Sequence, residues 1–287
     1  MGPFYFMNDK QVTLKRDVVV TGIGLHSGKQ AEVRLMPALP GQGITLRRVD
    51  GGGVNFGQIR PDLSHPSPLC TLLDDGHGMT ISTVEHLLAA LHGLKVDCVQ
   101  IEVDGPEVPI LDGSALPWVE AIDRAERVEL EAPRHWLRVR EPAKVLEDGR
   151  VLLAEPHMRR ALRIACMIDF PHRRIGRQEW KGVVDEETFR KEIAPARTFT
   201  LEAEVEAARK AGLIKGGSLE NAVVFGADGM VKNPEGLRFM DEPVRHKVLD
   251  AMGDLFLAGQ CVWGRFHLTA PGHTANNALL RRIMAAQ

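Results

Sequence analysis

D-E-P-V-R-H-K-V-L-D-A-M-G-D, from Asp241 to Asp254, is the stretch on which the reading of this chain turns. Pro243 suits the first turn of a helix, and Asp241 and Glu242 suit that helix's positive end. On a helix His246 and Asp250, four apart, share a face with Cβ atoms about 5–6 Å apart. Asp254 extends the row by one turn, while Val244, Val248, Leu249, Ala251, Met252 and Leu255 fall mostly elsewhere and supply a packing side. A His, Asp, Asp row beside a packing face is half of a metal site, since a catalytic zinc usually takes three protein ligands and keeps one position for water. Standing alone, the row fits a solvated helix face better.

The missing ligand lies far upstream. I-S-T-V-E-H-L-L-A-A-L-H-G-L, from Ile81 to Leu94, predicts a helix capped by Ser82 or Thr83. Ser82 to Glu85 matches a capping box, Leu87, Leu88, Ala90 and Leu91 pack, and Gly93 ends it. Glu85-His86-x-x-x-Ala90-x-x-Gly93 and Arg245-His246-x-x-x-Asp250-Ala251-x-Gly253 both place a His seven residues before a Gly. That likeness is short enough to arise by chance; read as a true repeat, it makes two related halves, each presenting a helix with a His and a site forming between them. Adjacent helical residues point about 100° apart, so with His86 on a metal, Glu85 reaches a metal-bound water instead. That is the place of a general base in a hydrolytic zinc site. His86, His246 and Asp250 then make a His2Asp shell with an open fourth position.

The 287 residues exceed the usual single-domain size, so two domains are expected. E-A-P-R at Glu131–Arg134 marks the boundary, giving 1–131 and 132–287. Charged residues are 26% with a net charge of -2, which gives no basic excess for nucleic acid, so an anionic substrate must be met by a local pocket. No apolar run approaches the ~18–20 residues needed to span a bilayer. The opening M-G-P-F-Y-F-M-N-D-K lacks a basic n-region and an apolar core, and is not read as a secretory signal. Cys70, Cys98, Cys166 and Cys261 are scattered with no C-x-x-C pair, as in a cytosolic protein with reduced thiols.

From Gln11 to Pro37 the pattern is strand, Gly-rich turn, strand, and His26 in the turn T-G-I-G-L-H-S-G-K is read as structural. Short strands follow through residue 80, then a strand at Val96–Val103 and a helix at Leu116–Arg127. Beyond the boundary, strands are expected at Trp136–Arg140, Val151–Ala154 and Leu162–Asp169. A helix from Asp185 or Glu186 runs towards Ile193. Leu201–Ala211 is amphipathic, with Leu201, Val205 and Ala208 on one side. A strand at Ala222–Phe225, another at Phe266–Thr269 and a helix from Thr274 complete the chain.

Six motifs occur in order: Thr83-Val84-Glu85-His86-Leu87, Leu111-Asp112-Gly113-Ser114-Ala115, Ala196-Arg197-Thr198-Phe199, Gly216-Gly217-Ser218-Leu219, Arg245-His246-Lys247-x-Leu249-Asp250, and Gly272-His273-x-x-Asn276-Asn277-x-Leu279-Leu280. Together they resemble the zinc-dependent UDP-3-O-acyl-N-acetylglucosamine deacetylases of lipid A synthesis in Gram-negative bacteria, over about Thr21 to Arg281. The resemblance implies an α+β fold of two similar sheet-plus-helices domains with the active site between the helix layers. It implies zinc on His86, His246 and Asp250, with Glu85 as general base. It implies a cationic His273 that stabilises the oxyanion and helps the amine leave, Asp254 holding that charge, and Thr198 as an oxyanion donor. Phe199 and Lys247 match substrate-recognition positions, and Cys70 matches a cysteine near the metal that is not a ligand. Phe199 to Phe225 matches an insertion forming an apolar passage for the 3-O-acyl chain, with Leu201, Val205, Leu219, Ala222 and Val224 as its lining. The chain stops soon after Arg282, past every motif, so no loss of chemistry is expected.

The resulting expectation is removal of acetate from UDP-3-O-acyl-N-acetylglucosamine by a cytoplasmic monomer. A zinc peptidase is disfavoured because H-E-x-x-H is absent. A catalytically silent nucleotide-sugar-binding protein on the same scaffold is the rival from another class. It would be expected to have lost the base or a ligand, and all are present.

Overall fold

In the computed structural model, which describes residues 9–67 and 69–287, the strand period read from sequence is visible in which side chains are covered. Gln30–Pro37 buries Ala31, Val33 and Leu35 and exposes Glu32 and Arg34. It lies antiparallel to Val18–Ile23 on one side and to Val99–Asp104 on the other. Val99–Asp104 runs parallel to Ile44–Arg48, which turns back into Val54–Gln58. The second half repeats this plan. Ala143–Glu147 pairs with Arg150–Glu155, and that strand with Cys261–Thr269. Cys261–Thr269 runs parallel to Leu162–Phe170, which turns back into Gly176–Val183. Each sheet thus has two hairpins flanking a middle strand that arrives last in the chain. Arg127–Pro133 pairs with Lys10–Leu14, so the boundary expected at residue 131 falls inside a strand. The expectation for the chain's opening falls largely on residues 1–8, outside those described.

The described residues form six α-helices: α1 (Glu85–Gly93), α2 (Leu116–Ala125), α3 (Glu186–Thr188, continued by a π-helical turn at Phe189–Ile193), α4 (Glu202–Lys210), α5 (Glu242–Leu255) and α6 (His273–Ala285). α1 precedes the middle strand of the first sheet and α5 that of the second, and the two pack directly on each other. α2 lies against Val18–Ile23, and α6 against the hairpin of Ala143–Glu147 and Arg150–Glu155, so the helices sit between the sheets. One apolar core runs through both halves. No helix among the described residues is long and apolar enough to cross a membrane.

Three local expectations need correction. The helix expected from Ile81 starts at Glu85, because Thr80–Ser82 is a strand and Thr83 turns the chain at φ 62°. Ile81 pairs with Leu73, and this β pairing overrides helix propensity. The capping box is not made: the Ser82 hydroxyl donates to the Pro106 carbonyl, and the Glu85 carboxylate accepts from the Thr71 N–H. Gly93 does close α1, but for packing reasons, since a Cβ there would lie 2.2 Å from the Phe189 ring. α5 is not one-sided: twelve of its fourteen residues are buried, leaving only Arg245 and Lys247 partly exposed. A helix lying between another helix and a sheet is covered all round, which removes the solvated-face reading. α4 starts only after Leu201, which ends the strand Phe199–Leu201; α4 buries none of its residues, and Leu201, Val205 and Ala208 are only half covered.

The α1–α5 crossing is unusually close because residue 253 has no side chain. A Cβ on Gly253 would lie 2.0 Å from the Glu85 carbonyl oxygen. That contact brings the first turn of α1, which carries Glu85 and His86, onto the face of α5.

Candidate active site

α1, α5 and α6 all present side chains to one cleft of about 540 Å³. His86 comes from the first turn of α1, His246 and Asp250 from the middle of α5, and His273 from the first residue of α6. One donor atom each of His86, His246 and Asp250 lies within 4.8 Å of the others. Asp250 Oδ1 is 3.3 Å from His246 Nε2 and 3.7 Å from His86 Nε2. Among the described residues this is the one such group of three.

Its neighbours fix both geometry and protonation. His246 Nδ1 is 3.0 Å from the Ala196 carbonyl, which only accepts, so Nδ1 donates there and Nε2 is the ring atom turned to the cluster. Lys247 Nζ donates to Asp250 Oδ2 at 2.9 Å and leaves Oδ1 to the cluster. Burial opposes ionisation of Asp250, but His246 and Lys247 outweigh it and hold the carboxyl well below its usual range. Burial lowers the pKa of His86, against a smaller pull from Asp250, which keeps a ring lone pair available. The buried Nδ1 of His86 has no hydrogen-bond partner among the described residues. Two imidazoles and a carboxylate, all buried, form a group that can hold a metal ion.

Beside this cluster stand two groups suited to proton transfer. Burial pushes the Glu85 carboxyl up to about 7, opposed by the charge of His273 and reinforced by Asp250 and Asp254. Burial works against charge on His273, yet the charge of Asp254 and its hydrogen bond raise that imidazole to about 9. His273 Nδ1 is 3.0 Å from Asp254 Oδ2, and His273 Nε2 is 3.9 Å from Glu85 Oε1. Asp254 also accepts from the Asn276 amide at 2.8 Å and from the Thr71 hydroxyl at 2.5 Å.

A family model of UDP-3-O-acyl N-acetylglycosamine deacetylases matches residues 11–285. The chain belongs to the UDP-3-O-acyl N-acetylglycosamine deacetylase family. It is 44% identical over 276 residues to a UDP-3-O-acyl-N-acetylglucosamine deacetylase of Phenylobacterium zucineum, covering 96% of this chain and 93% of that one. With the enzyme of the same name from Shewanella oneidensis it shares 42% identity over 279 residues, covering 96% and 90%.

The other motifs of this deacetylase family build the cleft's frame. The Thr198 N–H donates to the Gly113 carbonyl at 2.7 Å, and its carbonyl accepts from Val223 at 2.8 Å. Gly113 has φ 85°, and a Cβ there would lie 2.2 Å from the Asn221 carbonyl oxygen, so only glycine lets these segments meet. Behind Thr198, the buried Arg197 guanidinium donates to Glu242 Oε1 at 2.9 Å and ties this strand to the start of α5. Glu242 therefore serves as an ion-pair partner at the helix end where its charge was expected. Thr198 and Phe199 line the cleft, and the Phe199 ring stands edge-on to Phe170 with 5.4 Å between centroids. Lys247 Nζ lies 5.9 Å from the centre of the Phe199 ring.

The remaining site residues divide. Cys70 is buried near Ser67 and outside the donor group, and burial with the nearby Glu85 raises its thiol to about 12, so it stays protonated. The turn carrying His26 is held by Glu107, which accepts from the N–H groups of His26 and Ser27. Leu25 reaches the cleft wall while His26 is not part of it. Leu201, Val205, Leu219, Ala222 and Val224 also lie outside the lining of this cleft. Leu201, Val205 and Val224 are half-buried and Leu219 is exposed. Asn233 pins their segment, accepting from Val224 N–H and donating to the carbonyls of Leu219 and Ala222. Sequence reasoning missed Thr71 and gave Asn276 no role. Thr71 sits in an irregular segment with no spacing signal, and Asp254 is its partner 183 residues away.

Proposed function

We propose that this chain hydrolyses the acetamide of UDP-3-O-acyl-N-acetylglucosamine to acetate and the free amine, with zinc as its metal, in lipid A biosynthesis. The observation that carries the reading is the convergence of a His2Asp donor set, a buried carboxyl and a cationic imidazole on one cleft. The donor set suits zinc, with His86, His246 and Asp250 as ligands and a fourth position open. When bound, zinc supplies a Lewis acid for the amide carbonyl and lowers the pKa of a water towards 7.

Glu85 Oε1 faces the cleft and takes the proton of the attacking water, while Oε2 is occupied by the Thr71 N–H. His273, charged through Asp254, stabilises the negative oxygen that develops on the substrate, with Thr198 as a second donor, and as the C–N bond breaks the leaving nitrogen takes a proton from Glu85, which received it from the water, or from His273. Phe199 stacks on the substrate. Lys247 has two N–H donors beyond the one given to Asp250 and turns them to the anionic nucleotide end. Leu201, Val205, Leu219, Ala222 and Val224, on the insertion at 199–225, form the apolar passage for the 3-O-acyl chain. Two similar domains, meeting at the strand Arg127–Pro133 rather than cleanly at residue 131, arose by duplication, a reading supported by the same order of five strands in both sheets. The enzyme works as a monomer in the cytoplasm, where nucleotide sugars are made.

Acetate release from the purified, zinc-loaded protein tests this directly. Glu85→Ala should lower kcat by about 10²–10⁴-fold, the usual range for losing a positioned acid or base. A full rate in that variant, or no release by the wild type, would sink the proposal.

A further inference from the structure

Thr71 touches both proton-handling groups. Its N–H donates to Glu85 Oε2 at 3.1 Å. Its hydroxyl oxygen lies 2.5 Å from Asp254 Oδ1 and 3.2 Å from His273 Nδ1. A carboxylate only accepts, so the hydroxyl's single proton goes to Asp254. The hydroxyl oxygen then has lone pairs left to accept from His273 Nδ1–H. That N–H is shared between Thr71 and Asp254 Oδ2, which lies 3.0 Å away. Thr71 is 2% exposed, so water does not compete for these bonds. Two acceptors keep the proton on Nδ1, and Nε2 is left to face Glu85 Oε1 at 3.9 Å.

We propose that Thr71 is a positioning residue for the deacetylation. Its backbone sets where the Glu85 carboxylate sits, and its hydroxyl fixes the ring orientation of His273 and the rotamer of Asp254. The inference rests on the functional reading above. One residue thereby sets the spacing between the base and the cation, although it meets neither substrate nor metal.

Thr71→Val keeps shape and backbone N–H but removes the hydroxyl, whereas Thr71→Ser keeps the hydroxyl. Valine should lower kcat by about 10–100-fold, the size of one hydrogen bond to a charged group. KM should stay within about twofold, because the lost contact acts on the reaction rather than on substrate binding. Serine should restore the rate to within about threefold of wild type, since it returns the same bond. A wild-type kcat in the valine variant, or serine as slow as valine, overturns the proposal. The nitrogen-15 spectrum of histidine-labelled, zinc-loaded protein gives a second measurement. His273 should show a protected, low-field Nδ1–H at neutral pH, shifted in the valine variant and retained in the serine one. A wild-type spectrum with His273 Nδ1 unprotonated overturns the proposal even if the valine variant fails to fold. Absence of acetate release by wild-type protein would refute the functional reading, while the spectra still decide the role of Thr71.

Discussion

Gly253→Ala pits helix propensity against packing, and the structure decides between them. In a helix interior alanine is favoured over glycine by about 0.8–1.0 kcal/mol. The added Cβ would lie 2.0 Å from the Glu85 carbonyl oxygen and 2.8 Å from its carbonyl carbon. Carbon contacts are ordinarily about 3.5–4.0 Å, so α1 and α5 must separate by roughly 1–1.5 Å. Overpacking typically costs about 1–3 kcal/mol, and backbone pressed against Cβ has no flexible end to yield, so the upper part of that range applies. The net is a loss of about 1–2 kcal/mol, which at roughly 2–4 °C per kcal/mol lowers Tm by several degrees. Separation also carries Glu85 and His86 away from His246 and Asp250, and a 1 Å misplacement costs about 10²-fold in rate. Calorimetry on chelator-treated protein isolates the packing effect from ligand-linked stabilisation. Metal content and acetate release on reloaded protein then report the site. A variant at least as stable as wild type, with unchanged kcat, would refute the close-crossing argument.

The other perturbations probe the groups separately. His246→Ala leaves two ligands, so chelator-washed and reloaded protein should hold far less zinc, and unchanged content would remove His246 from the shell. Glu85 must be ionised and His273 protonated, so kcat/KM should rise as the base ionises and fall as pH passes the imidazole value of about 9. Asp254→Asn removes the charge that raises His273, so the falling limb should move to lower pH with zinc retained; an unmoved limb would free Asp254 of that role. Each buried CH2 contributes about 0.8 kcal/mol, so deleting a 3-O-acyl chain of roughly ten carbons should cost several kcal/mol in kcat/KM. Equal values with and without the chain would rule out an apolar passage.

The site was legible where its chemistry is local. His246, Asp250 and Asp254 are spaced by the helical repeat, and Glu85 adjoins His86, so composition and spacing already restrict what they can do. The repeat of His before Gly falls on two helices that meet, and both Gly residues serve packing, Gly93 at the close of α1 and Gly253 inside α5. Gly253 meets the Glu85 backbone, and Gly93 meets the Phe189 ring. Local signals failed where tertiary partners took over. Ser82-x-x-Glu85 reads as a cap, but Ser82 joins a strand and Glu85 turns to Thr71. The all-round burial of α5 was hidden because its charged residues are paired inside: Glu242 with Arg197, Asp250 with Lys247. Periodicity reports polarity, and a buried, neutralised charge still reads as polar.

The shared strand order has a consequence for how the chain reaches its native state. Each sheet is completed by a middle strand that must slot between two hairpins made earlier, Val99–Asp104 in one case and Cys261–Thr269 in the other. Hairpins close quickly from neighbouring residues, whereas a late middle strand pairs over long separations and pays loop-closure entropy first. During synthesis the first sheet can knit once Asp104 has emerged, but the second holds two open edges until Thr269 is free. Over that interval the inner edges of Arg150–Glu155 and Leu162–Phe170 are unpaired templates for another chain. Aggregation of nascent or refolding protein should therefore start in the second sheet, and the α1–α5 joint should be among the last parts to form.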